Sequence, residues 1–100
     1  MMQQKAKVIL VTTQGCEGCR IQKNLLDKVY QDYKGKYDYI IIDRADIKET
    51  FKDMSNVETG MMSDFPTTVF CIDDCVITKL IGTKPRGILK QYVEDMLSKC

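Results

Sequence analysis

The feature that most constrains this chain is an apolar, β-branched run, Val8-Ile9-Leu10-Val11-Thr12, followed almost at once by Cys16-Glu17-Gly18-Cys19. The run reads as a buried strand. The stretch from Cys19 to Tyr33 has a helical pattern, so the two cysteines sit where a strand turns into a helix. Two thiols at this spacing at a helix start can close a small disulfide. The first faces unpaired backbone N–H groups and the positive end of the helix dipole, which favours thiolate over thiol. A thiolate beside a second thiol is a dithiol redox centre.

The rest of the sequence alternates in type. Strand one is read as Lys7–Thr12. Helix one runs from about Cys16 to Tyr33, with Ile21, Leu25, Val29 and Tyr33 on one stripe and Leu26 and Tyr30 widening it; Gly35 ends it. Strand two, Tyr37–Asp43, has a Tyr39-Ile40-Ile41-Ile42 core expected to be buried on both faces. A shorter helix starts near Ile47 and ends near Met54–Val57, with Asp46 and Glu49 spaced as a capping box. A loop from Glu58 to Asp64 leads to Phe65-Pro66 and strand three, Thr67–Ile72. Asp73-Asp74 is a plausible two-residue turn, because Asp tolerates positive φ. Strand four is Cys75–Leu80. The last helix places Ile88, Leu89, Tyr92, Val93, Met96 and Leu97 on one face, with Thr83 as N-cap and Pro85 in the first turn. The order β-α-β-α-β-β-α implies one α/β domain over residues 1–100, a four-stranded mixed sheet with helices on both faces.

Composition narrows the chemistry. There is no histidine, so histidine catalysis and histidine metal ligands are excluded. The net charge is +1, with basic residues dispersed, which gives no footing for nucleic acid or an anionic membrane. The N-terminal apolar run is too short for a secretory core, and no segment could span a bilayer, so a cytoplasmic location is expected. Five cysteines, an odd number, argue against a secreted disulfide scaffold.

Taken together, the strand, the C-x-x-C at a helix start, the crossover, the Phe65-Pro66-Thr67 strand, the hairpin reaching Gly82 and the final helix resemble the thioredoxin superfamily, in its minimal glutaredoxin-like layout. The resemblance implies a cis peptide bond at Pro66, with that proline lying against the disulfide and the Phe65 backbone open to an extended substrate. It implies a thiol–disulfide oxidoreductase in which Cys16 is the nucleophile and Cys19, one turn in, the resolving thiol. No cofactor or metal is expected. The implied partners are protein disulfides and a thioredoxin reductase-type electron donor, and the chain is expected to be a monomer. Three departures from the superfamily pattern stand out. Leu10 occupies the place of a buried acid, and Tyr39 that of a lysine near it. Gly15 and Glu17-Gly18 replace a tryptophan and a Gly-Pro pair. A single Gly82, followed by Thr83-Lys84-Pro85, stands where glutaredoxins hold glutathione.

Glu17 and Arg20 are expected to tune Cys16 in opposite senses, Glu17 disfavouring and Arg20 favouring the thiolate. Gly15, Met62, Phe65 and Pro66 are the candidate substrate contacts; Met61 and Met62 could equally fill the core. Cys71 and Cys75 could join Cys16 and Cys19 around zinc as C-x-x-C plus C-x-x-x-C. An Asp73-Asp74 turn, however, pairs Cys71 with Val76 and Ile72 with Cys75, pointing the two thiols to opposite faces, whereas a three-residue loop would set them facing. Cys100 reads as an exposed terminal thiol. Two other functions stay open: a glutathione-linked variant, and a thioredoxin-fold binding module without catalysis.

Overall fold

The computed structural model describes residues 5–55 and 64–100. Its elements are β1 (Ala6–Thr12), α1 (Glu17–Asp32), β2 (Asp38–Asp43), a 3-10 turn at Arg44–Asp46, α2 (Ile47–Thr50), β3 (Thr67–Ile72), β4 (Cys75–Ile81) and α3 (Arg86–Ser98). The strands form one mixed sheet in the order β2-β1-β3-β4, with β1 parallel to β2 and antiparallel to β3.

The sheet divides the core in two. Val8 and Leu10 of β1 point to one side, where Leu26 and Val29 of α1 and Leu89, Val93 and Met96 of α3 cover them together with Phe70. Ile9 and Val11 point to the other side, onto Val69, Cys71, Ile47 of α2 and Phe51 just after it. Val8, Ile9, Leu10 and Val11 are all 0% exposed, as a strand covered on both faces must be. Each such side chain contributes about 1.5–3 kcal/mol by leaving water.

That buried centre corrects the reading of β2. It is an edge strand, and Ile40 and Ile41 are 36% and 41% exposed. Two apolar strands look alike in sequence, but only β1 has a neighbour on each side. The helix stripe is also shifted. The buried residues of α1 are Cys19, Gln22, Leu26 and Val29, while Ile21 is 48% exposed. On α3, Leu89, Val93 and Met96 are buried, Tyr92 and Leu97 pack partly, and Ile88 is exposed.

The expected capping box does not form. The chain enters α2 through the 3-10 turn, so Asp43 caps that turn by accepting from the Ala45 N–H at 2.9 Å, and Asp46 makes no side-chain cap. Glu49 pairs with Lys52 instead, and α2 stops at Thr50. Thr83 is not the cap of α3 either; Pro85 precedes that helix, and the Thr83 side chain turns toward Gly18.

The hairpin follows its predicted register. Asp73 has φ +55°, Cys71 lies opposite Val76, and Ile72 lies opposite Cys75. A bulge between Phe70 and Cys71 shifts the pairing further along the hairpin.

Candidate active site

The site sits where β1 ends and α1 begins, at the end of the sheet also reached by Pro66. Cys16 is the N-cap of α1, with extended φ/ψ, so its side chain faces the unpaired N–H groups of the first turn. Its sulfur is bonded to Cys19, across a Cα–Cα separation of 5.2 Å, and accepts the Cys19 N–H at 3.0 Å. After reduction the same N–H and the helix dipole would stabilise a Cys16 thiolate. Cys16 is half-buried, whereas Cys19 is 4% exposed. The outer sulfur is thus the one an incoming disulfide can reach, and the inner one can attack only what is bonded to its neighbour.

The Phe65-Pro66 peptide is cis, as the resemblance implied. Pro66 is buried, and its Cδ lies 3.3 Å from where a Cβ on Gly18 would stand. The proline therefore packs against the turn between the two cysteines. Phe65 is half-buried and packs on the α2-side core. Gly15 is exposed with φ +73°, a conformation that costs glycine nothing and lets the chain turn sharply into α1. Met61 and Met62 lie outside the described residues.

Glu17 and Arg20 are brought together rather than set against each other. Arg20 donates to both Glu17 carboxylate oxygens at 2.7 and 2.8 Å. Both are largely exposed, and each spends its charge on the other beside Cys16. An open cleft of about 470 Å³ runs from Cys16 along α1, lined by Thr12, Thr13, Cys19, Arg20, Lys23 and Ile41.

Among the described residues, no acidic side chain is buried. Leu10 is 0% exposed in the apolar core and pairs with Ile41 of β2. Tyr39 pairs with Val8, and its hydroxyl donates to Asp27 at 2.9 Å. Burial first, and then Asp27, raise the Tyr39 phenol above its usual range.

The hairpin thiols are held apart from the site and from each other. Cys71 is 0% exposed among the residues facing α2, with its Sγ 4.0 Å from the Met54 sulfur; burial pushes its thiol up to about 11. Cys75 belongs to the opposite face by register and is half-buried. Among the described residues, no group of three or more His, Cys, Asp or Glu side chains could hold a metal ion. Among the same residues, no helix is long and apolar enough to cross a membrane.

One residue of the site was missed. Gln22 is 0% exposed, one turn beyond Cys19, and both ends of its amide are bonded. Its Nε2 donates to Thr68 Oγ1 and its Oε1 accepts the Lys84 N–H, each at 3.0 Å. A glutamine interrupting an apolar helix stripe one turn past the second cysteine of the C-x-x-C was the available signal.

No protein-family model matches the chain, and no curated protein sequence does. Solved structures do match. Thioredoxin-2 of the malaria parasite, described as a component of its protein secretion machinery, superposes with a TM-score of 0.72 at 13% identity, over 95% of this chain and 86% of that one. Oxidised mitochondrial thioredoxin 3 of Saccharomyces cerevisiae gives 0.70 at 23% identity, over 93% and 80%. A structure from work on thiol resolution in yeast mitochondrial 1-Cys peroxiredoxin via the glutathione and thioredoxin systems gives 0.70 at 22% identity, also over 93% and 80%. The chain has the thioredoxin fold, with a disulfide at C-x-x-C spacing in it.

Proposed function

We propose that this protein is a thiol–disulfide oxidoreductase acting on protein disulfides, with Cys16 as nucleophile and Cys19 as resolving thiol. The observation that carries the reading is the unequal placement of the two sulfurs: Cys16 half-buried at the N-cap with an N–H aimed at it, Cys19 enclosed one turn in. In the reduced protein the Cys16 thiolate attacks one sulfur of a substrate disulfide. A new S–S bond forms, the substrate S–S bond breaks, and the leaving sulfur departs as thiolate. Cys19, having given its proton to solvent, then attacks Cys16, closes the internal disulfide and releases the second substrate thiol. Two electrons pass to the substrate, and a reductase-type partner must return them. Run backwards, the same steps oxidise a dithiol.

The thioredoxin likeness of the fold supports this class over a binding module, because the module would need no polarised sulfur pair. Glutathione-linked turnover is less favoured, since the Thr83 hydroxyl and the Lys84 N–H are already bonded within the chain. We further read the protein as a cytoplasmic monomer. The test is reduction of a protein disulfide by catalytic amounts of the protein with a chemical reductant. Wild type accelerates it and Cys16→Ser does not; equal rates would overturn the reading. A midpoint potential near about −270 mV would assign a reductant, and one near about −120 mV an oxidant.

A further inference from the structure

Residues 82–84 form a run in which each residue bonds to a different part of the site. The Gly82 N–H donates to the Pro66 carbonyl at 2.8 Å. The Thr83 hydroxyl donates to the Gly18 carbonyl, a long bond at 3.3 Å. The Lys84 N–H donates to Gln22 Oε1, and Gln22 in turn donates to Thr68, two residues past Pro66. The contact is also steric. A Cβ on Gly18 would stand 2.9 Å from Thr83 Oγ1 and 3.3 Å from Pro66 Cδ, closer than side chains normally pack. An alanine at position 18 would therefore require Thr83 or Pro66 to shift.

The geometry points to residues 82–84 as a clasp that positions the C-x-x-C turn for disulfide closure, with Thr83 as the positioning residue. This rests on the thiol–disulfide reading of Cys16 and Cys19. Thr83 acts through Gly18, whose carbonyl lies between the two cysteines, and Gln22 fixes the next turn of the same helix. A turn held in its closed geometry loses less conformational freedom when the bond forms. The clasp therefore favours the disulfide and speeds the resolving step. In that step the Cys19 thiolate bonds to Cys16 sulfur, the bond from Cys16 to the substrate breaks, and the electron pair leaves on the substrate thiolate.

The test is Thr83→Val, which keeps the side-chain shape and removes the donor, against Thr83→Ser, which keeps the donor. Resolution of a preformed Cys16 mixed disulfide should slow about two- to fivefold in the valine variant, the lower part of the range of a neutral hydrogen bond, as suits one 3.3 Å long. The dithiol–disulfide equilibrium should shift toward dithiol by the same factor, a midpoint potential about 10–20 mV less negative. Serine should restore both, which a general loss of stability would not allow. In a second comparison, Gly18→Ala should cost more in the native background than beside Thr83→Ala, which removes the 2.9 Å contact. A valine variant with native potential and resolving rate, or strict additivity of the alanine pair, overturns the clasp. If the native protein forms its disulfide reversibly but turns over no protein substrate, the functional reading fails while the potential comparison still decides the clasp.

Discussion

Two cysteine pairs with similar spacing, Cys16/Cys19 and Cys71/Cys75, have opposite fates in this fold. At the helix start, a rise of one turn brings the sulfurs together and leaves one of them at the surface. Across the hairpin, a two-residue turn places Cys71 and Cys75 on opposite faces of the sheet, and Cys71 is sealed in the core. Spacing alone does not make a redox pair or a metal site. The backbone period on which the spacing is laid decides it. The helix pair closes a disulfide, and the buried hairpin thiol packs in the core.

The largest expected effect separates the two pairs by activity. Cys16→Ser should reduce disulfide turnover to background, whereas Cys71→Ala and Cys75→Ser should each stay within about twofold of native at 25 °C. Loss of turnover in a hairpin variant that remains folded would break the distinction. Alkylation of the reduced protein sharpens it. Iodoacetamide at neutral pH should label Cys16 at least about a hundredfold faster than Cys71, whose enclosed thiol stays protonated. Cys19 should react more slowly than Cys16, and peptide mass analysis over time gives all three rates.

Stability should show the reverse preference. In the reduced protein, Cys71→Ser buries a hydroxyl in apolar surroundings and should cost about 1–3 kcal/mol in denaturant unfolding, while Cys16→Ser should cost well under that. The Cys71 thiol also predicts a pH effect. Its folded value is raised by burial to about 11, from an ordinary value of 9.0. Between these values the unfolded chain releases a proton that the folded chain keeps, so stability falls as pH rises through the window. Cys71→Ala should flatten that fall, most clearly between about pH 9 and 10, before Tyr33, pushed up to about 12, adds its own part. The smallest effect belongs to Glu17→Gln. Because Glu17 and Arg20 form an exposed pair, the Cys16 alkylation rate should change by no more than about two- to threefold.

Much of this was legible in the sequence where local geometry decides. The strand before Cys16 and the helix after it follow from periods of 2 and 3.6, while the Asp73-Asp74 turn follows from the tolerance of Asp for positive φ and sets the faces of Cys71 and Cys75. The cis bond at Pro66 came with the resemblance, and the fold it implied is the one observed. What stayed hidden depends on distant partners. Nothing in Tyr39-Ile40-Ile41-Ile42 says which strand takes the edge. Asp46 lost its cap to Asp43 because a 3-10 turn intervened. Thr83 looked like a helix cap because its bond to Gly18 spans 65 positions of chain. The buried bonding of Gln22 was not legible, because its partners, Thr68 and Lys84, arrive from far along the sequence.

The central claim is that substrate bonds to Cys16 and nowhere else. Cys19→Ser removes the resolving sulfur, so the reduced variant mixed with a protein disulfide should accumulate a covalent mixed disulfide that a chemical reductant dissolves. Proteolysis and mass spectrometry of that adduct should find the substrate peptide on Cys16. An adduct on Cys71, Cys75 or Cys100 instead, or none with the native protein active, would contradict the account.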